Sequence, residues 1–271
     1  RYHLGPDIQV GNIYPVMYAK TFFDGMKAEG QKNIINLLRC AWAGSQKYGA
    51  LVWSGDIKSS FPSMKNQVAA GLNMGIAGIP WWTTDIGGFF GANINDPEFH
   101  ELLVRWFEYG CFCPVMRLHG YRWPLQPQYG TTGGATCVSG APNEVWSYTD
   151  QVCEILSDYL RLRERMLPYI TELMEEAHEK GTPVMRPLFY DFPEDKESWN
   201  VETEYMFGPK VLVKPITDAD ARETDVYLPG GASWTNAWTG ETFEGGQKVH
   251  VAAPIEQIPL FTRDGYKLPM K

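Results

Sequence analysis

The sequence predicts an α/β fold: part of a parallel (β/α)8 TIM barrel over residues 1–197, then a small antiparallel β-sandwich over residues 198–271. Three observations carry this. Short apolar runs recur that end in a polar or charged residue and a glycine. Amphipathic segments with apolar residues at helical spacing lie between them. From Glu204 onward the pattern becomes short alternating runs broken by Gly-rich turns, the signature of antiparallel strands.

The strand-like runs come in order. Asn33-Ile34-Ile35-Asn36-Leu37-Leu38-Arg39 ends in a cation, and Ala50-Leu51-Val52 runs into Trp53-Ser54-Gly55-Asp56. Gly78-Ile79-Pro80-Trp81-Trp82 leads into Thr83-Thr84-Asp85-Ile86-Gly87-Gly88-Phe89, and Pro114-Val115-Met116 leads into Arg117-Leu118-His119-Gly120. Helices are predicted over 18–29, 62–75 and 97–111, an alternation that makes the strands parallel with right-handed crossovers. A long helical stretch spans 145–181, closes on Glu179-Lys180-Gly181 in a C-cap pattern and is divided near its middle by Pro168. The Gly-, Pro-, Thr- and Gln-rich segment 121–142 is predicted as a surface loop shaping a substrate entrance. Strands are expected at 211–213, 223–228, 234–237, 248–251 and 257–261, with the domain boundary between 193 and 200.

Composition narrows the partners. A formal charge of −8 argues against nucleic acid and anionic membrane surfaces, which need clustered Lys and Arg. No apolar stretch reaches the roughly 18 residues that span a bilayer. Five cysteines leave at least one unpaired, and they read as reduced thiols buried as small hydrophobes. That expectation points to the cytoplasm and leaves the periplasm open. Cys111-Phe112-Cys113 lacks zinc-site spacing, so no metal or other cofactor is expected. Aromatic residues make up 14% of the chain, including 10 Trp, and several stand at strand ends beside Asp, Arg and His. Such a mixture suits sugars, whose C–H faces stack on rings while their hydroxyls bond charged groups. Asp56 is the first catalytic candidate, because a parallel barrel presents its chemistry at the C-terminal tips of its strands.

Arg39-Cys40-Ala41-Trp42-Ala43-Gly44-Ser45-Gln46, Trp53-Ser54-Gly55-Asp56, Asp85-Ile86-Gly87-Gly88-Phe89 and Arg117-Leu118-His119-Gly120 resemble, in order, signature blocks of glycoside hydrolase family 31. Pro183–Leu188, Tyr205-Met206-Phe207-Gly208 and Ile258-Pro259-Leu260-Phe261 resemble that family's barrel end and following β-sandwich, so the likeness runs through the whole chain. The resemblance implies a retaining α-glycosidase acting at the non-reducing end of an oligosaccharide or small α-glycoside. It makes Asp56 the general acid/base. Arg39 and His119 would hold sugar hydroxyls in the −1 subsite, and Trp53, Asp85 and Phe89 would line its wall. Trp81-Trp82-Thr83-Thr84-Asp85 and Ala41-Trp42-Ala43-Gly44 are similar to bacterial xylosidase-like members, which puts α-xylosidase ahead of α-glucosidase; a catalytically inert carbohydrate-binding relative is the further alternative.

The chemistry agrees with the residue types. A general acid at neutral pH needs an apolar setting or a neighbouring carboxylate, and Trp53 and Trp42 are expected to supply the former. Each residue also has a plainer reading. Asp56 could cap the next helix, Asp85 could hold a tight turn, Arg39 could pair with a structural carboxylate, and His119 and Phe89 could be core residues. Retention requires a second carboxylate about 5 to 5.5 Å away. By the resemblance this nucleophile precedes Arg1 and the chain holds the C-terminal part of the (β/α)8 TIM barrel; the four strands recognised are half those of a closed one. The expectation is that the chain alone is inactive and pairs with the remainder of the polypeptide or with an oligomer partner.

Overall fold

The computed structural model describes residues 2–128, 130–132 and 138–270. The first part contains α1 (Asp7–Val10), α2 (Tyr14–Ala28), β1 (Asn36–Leu38), β2 (Ala50–Trp53), α3 (Phe61–Ile76), β3 (Trp82–Thr83), β4 (Ala92–Asn93), α4 (Pro97–Cys111), β5 (Arg122–Trp123), α5 (Asp150–Arg165) and α6 (Leu167–Lys180). The second contains β6 (Met185–Pro187), α7 (Leu188–Asp191), β7 (Tyr205–Phe207), β8 (Val211–Val213), β9 (Glu223–Leu228), β10 (Ser233–Asn236), β11 (Thr242–Glu244), β12 (Gln247–Ala252) and β13 (Leu260–Arg263).

β1, β2 and β3 lie side by side and parallel, with Asn36 opposite Ala50 and Val52 opposite Trp82. Residues 114–120, expected as a strand, do not form a regular one. They nevertheless continue the parallel pairing, since Val115 N donates to Trp82 O (3.1 Å) and Arg117 O accepts from Ile86 N (3.3 Å). Pro114 has no amide proton to contribute, which limits the ladder there.

The helices start where capping chemistry allows. Ser60 accepts from Ser63 N at the head of α3, and Asp96 accepts from Glu98 N at the head of α4, each followed by a proline in the first turn. Gly71 lets α3 approach the sheet, because a Cβ there would lie 2.7 Å from the Trp82 ring. The expected 145–181 helix is two helices that meet at Met166, with Pro168 in the first turn of α6, where its missing N–H costs nothing. Residues 145–147 form a separate 3₁₀ turn ahead of them.

In the second part six antiparallel strands run in the order β11-β10-β13-β8-β7-β6, and β9 pairs with β12 as a two-stranded ribbon. β6 lies ahead of the 197/198 division expected from sequence and joins this sheet through Met185–Phe207 and Pro187–Tyr205 pairing. The sheet is buried on both sides. Tyr205, Phe207, Val211, Val213 and Leu260 point into the core shared with α3, α4, α5 and α6. Met206, Leu212 and Phe261 alternate with them and meet Val226, Leu228 and Val249 of the ribbon. The buried Arg105 of α4 joins the two parts, donating to the carbonyls of Ala221, Ala253, Pro254 and Gln257. Cys111 and Cys113 are buried thiols as expected, but Cys40 is exposed, because it follows Arg39 out of β1; Cys137 lies outside the described residues. No helix among the described residues is long and apolar enough to cross a membrane.

Candidate active site

β2 leaves the sheet at Trp53, and the chain turns through Gly55, whose φ of 76° is a left-handed conformation open to glycine. The turn brings Ile57 N to Gly55 O (3.0 Å) and leaves Asp56 at the C-terminal rim of the sheet. Asp56 does not cap α3; Ser60 does. Its carboxylate accepts from Arg39 at the tip of β1, whose Nη2 lies 3.1 and 3.0 Å from the two oxygens. Both side chains face solvent, at 62% exposure for Arg39 and 43% for Asp56.

Trp53 forms the floor beneath them. The Arg39 guanidinium lies 5.2 Å from its ring and that of Arg117 lies 5.9 Å away, so two cations share one aromatic ring. Asp56 therefore sits beside a guanidinium at an open rim, not in the apolar setting expected from sequence. Trp42, which was to contribute to that setting, is itself half exposed because it lies in the loop between β1 and β2.

Asp85 is fully buried at the end of β3 and forms a short ion pair with Arg117, which comes from the neighbouring 114–120 segment. Its Oδ2 has no partner among the described residues, nor does Arg117 Nε. Burial raises its carboxyl above the ordinary range. Arg117 and His119 oppose that rise, Asp56 adds to it and Arg122 opposes it. The tight turn that follows is made by the backbone, with Gly88 N donating to Asp85 O (2.9 Å), so the Asp85 side chain is not spent on it.

Phe89 is half-buried. Its amide donates to Ile57 O (2.7 Å), Ser59 N donates to Phe90 O (2.8 Å), and Tyr121 N donates to Phe89 O. The loops after β2, β3 and residue 119 are thus laced together. Phe89 stands 5.6 Å from the His119 ring and 6.5 Å from Tyr121, and His119 is exposed rather than core. Arg39, Asp56 and Trp53 form one contiguous group; Asp85, Arg117, Phe89 and His119 form the adjoining one, with Arg117 over Trp53 linking them.

Two residues beyond the sequence-based candidates matter. Arg117 was visible as the cation two positions before His119. Arg122 was not: it lies in the segment expected as a surface loop, yet it is completely buried and donates to the carbonyls of Ile86 and Gly88. The only cue was a cation set between Tyr121 and Trp123 in an otherwise polar stretch.

Comparison with known proteins agrees with this layout. The glycosyl hydrolases family 31 TIM-barrel domain matches residues 3–173, and the glycosyl hydrolase family 31 C-terminal domain matches residues 181–268. An α-xylosidase of Saccharolobus solfataricus is 37% identical over 97% of this chain and 34% of that protein. α-Glucosidase 2 of Bacillus thermoamyloliquefaciens is 34% identical over 95% of this chain and 30% of that protein. The crystal structure of a family 31 α-xylosidase from a soil metagenome, complexed with xylose, superposes with a TM-score of 0.94 at 55% identity, covering 99% of this chain and 40% of that one. The chain spans about a third of the length of the curated relatives it matches. With two consecutive domains matched in order and a shared three-dimensional course, the chain belongs to glycoside hydrolase family 31.

Proposed function

We propose that the complete protein is a retaining, exo-acting α-glycoside hydrolase, with α-xylosidase as its activity, and that this chain supplies the acid/base half of the sugar site. Asp56 is assigned as acid/base. Arg39, Trp53, Asp85, Phe89 and His119 are assigned to bind the terminal sugar. The observation that carries the reading is the placement of Asp56 at a strand tip, above Trp53 and hydrogen-bonded to Arg39.

In this reading Asp56 gives its proton to the glycosidic oxygen as the bond breaks. The sugar passes to a carboxylate contributed by a barrel strand outside this chain, and Asp56, now ionised, takes a proton from the attacking water. Arg39 has two acceptors to choose between. It holds Asp56 when the pocket is empty, and turning its donors to a sugar hydroxyl frees Asp56 for the leaving group. Trp53 and Phe89 offer ring faces to the sugar, and Asp85 lines the wall by holding Arg117 in place behind them. On this reading the second carboxylate is supplied from outside these 271 residues, and the chain alone is expected not to turn over an aryl α-glycoside.

The similarity to a structure complexed with xylose supports the pentose. α-Glucosidase is the alternative, supported by the Bacillus relative. Xylose and glucose differ by one hydroxymethyl group, so rates of the complete protein on 4-nitrophenyl α-xyloside and α-glucoside decide between them. The expected result is a higher kcat/KM on the xyloside. Hydrolysis of neither would favour an inert sugar-binding relative and sink the enzymatic reading. Four free thiols among the described residues, at Cys40, Cys111, Cys113 and Cys153, support a reducing compartment, the cytoplasm before the periplasm.

A further inference from the structure

We propose that Arg122 is a positioning residue that fixes the wall of the sugar site from behind, an inference that rests on the proposed hydrolase reading. Its guanidinium is completely buried and forms no ion pair among the described residues. Taking a charge out of water without a carboxylate is costly, and a core built only for packing would use an apolar side chain. What the charge does instead is collect oxygens. Nη1 donates to Gly88 O (2.8 Å), Nη2 to Ile86 O (3.1 Å) and Nε to Asn143 Oδ1 (3.0 Å), while Ser59 Oγ and Phe89 O stand at 3.5 Å. The Phe99 ring closes one face at 4.9 Å.

These partners belong to separate loops. Ile86, Gly88 and Phe89 form the turn that carries Asp85 and Phe89. Ser59 lies on the loop that carries Asp56, and Asn143 lies just before α5, where it also accepts from Tyr148 OH (2.6 Å). His119 stands three residues before Arg122 on the same chain. The space around Gly120 is shaped to the guanidinium, since a Cβ there would lie 2.4 Å from Cζ. One planar, five-donor group therefore sets the separation of the Asp56, Asp85 and His119 loops, a task to which a single-point ammonium is poorly fitted. It also places a cation behind Asp85, whose other titratable or charged neighbours are Arg117, His119 and Asp56.

The test uses the complete protein with Arg122→Lys, Arg122→Met and Asn143→Ala. On 4-nitrophenyl α-xyloside well below the melting temperature, Arg122→Lys is expected to lose about 10²-fold in kcat with KM little changed, since misplacement of reacting groups by about 1 Å carries penalties of that order. In Arg122→Met the acidic limb of the pH profile is expected to move to higher pH, because Asp85 has lost a nearby cation; in Arg122→Lys it stays. Backbone amides of Gly88, Phe89 and Tyr121 are expected to exchange hydrogen faster in Arg122→Lys while α3 and α5 keep their protection. Kinetics and exchange at wild-type values in Arg122→Lys, or a loss that follows melting temperature alone, would overturn the proposal. If Arg122→Met does not fold, Arg122→Lys and Asn143→Ala still decide it. Should the wild-type protein hydrolyse no aryl α-glycoside, the hydrolase reading fails, and the exchange measurement alone rules on Arg122.

Discussion

Arg39 offers a single nitrogen, Nη2, to both carboxylate oxygens of Asp56, at 3.1 and 3.0 Å, while its guanidinium lies against the Trp53 ring. The pair joins the tips of two adjacent parallel strands across an open rim. Exposed pairs of this kind contribute about 0–1 kcal/mol to stability, so the contact is cheap to break and suits a site in which substrate must replace one partner.

Replacing Asp56 with Asn in the complete protein should therefore separate activity from folding. Turnover of 4-nitrophenyl α-xyloside is expected to fall by about 10² to 10⁴, the usual worth of positioned acid–base catalysis, with the melting temperature nearly unchanged. Near-wild-type turnover would remove Asp56 from the acid/base role.

Arg39→Lys keeps the charge but loses the guanidinium over the Trp53 ring and the wide donor fork. A fall of at least about tenfold in kcat/KM is expected from losing one charge-assisted bond of roughly 1.5–3 kcal/mol, again with little change in stability. Kinetics matching the wild type would mean that Arg39 holds nothing but Asp56.

Gly88→Ala tests the lacing of the loops. The glycine has a φ of 75°, and a Cβ would lie 2.6 Å from Ser59 Cα and 2.7 Å from Ser59 N, backbone atoms that cannot swing aside. Strain of this type costs about 1–3 kcal/mol, read as a lowered denaturation midpoint, and activity should fall with it as Phe89 and Ser59 separate. An unchanged midpoint would show that the two loops move freely.

Glu108 gives a pH prediction away from the site. It is fully buried between Arg105 and Tyr159, and burial pushes its carboxyl up to about 8 although Arg105 pulls the other way. The native state therefore holds a proton that the unfolded chain releases near pH 4.5. Stability attributable to this group is present below that pH and is lost as pH rises towards 8, at no more than about 1.4 kcal/mol per pH unit. Glu108→Gln mimics the protonated form and should flatten the decline in melting temperature between pH 6 and 9. A parallel decline in the variant would assign the effect to other groups.

Much of this architecture was legible in the residues. β2, β8 and β9 fall where apolar runs and alternation put them, and Asp96-Pro97 and Lys180-Gly181 mark helix ends by capping chemistry. β13 begins three residues later than expected, because Gln257-Ile258-Pro259 forms the approach and Pro259 cannot donate to a ladder. β7 and β6 gave no periodic signal: Tyr205-Met206-Phe207 is buried on both faces, and a run of three such residues has no alternation to read. At the site, residue types at strand ends indicated Asp56, Arg39, Asp85 and His119. That Arg39 would reach Asp56, that Asp85 would be sealed by Arg117, and that Arg122 would lie buried all depend on contacts between separate segments, which spacing along one chain cannot encode.

The sheet whose odd and even residues serve two different interiors has a consequence for engineering and for descent. Tyr205 and Phe207 belong to the neighbouring layer of helices as much as to their own strands, and Arg105 reaches across to grip four carbonyls of the second unit. A chimera that exchanged the C-terminal unit for one from a cousin would have to import the matching surface of α4 and α5 as well, so the two units are expected to be inherited as a single cassette.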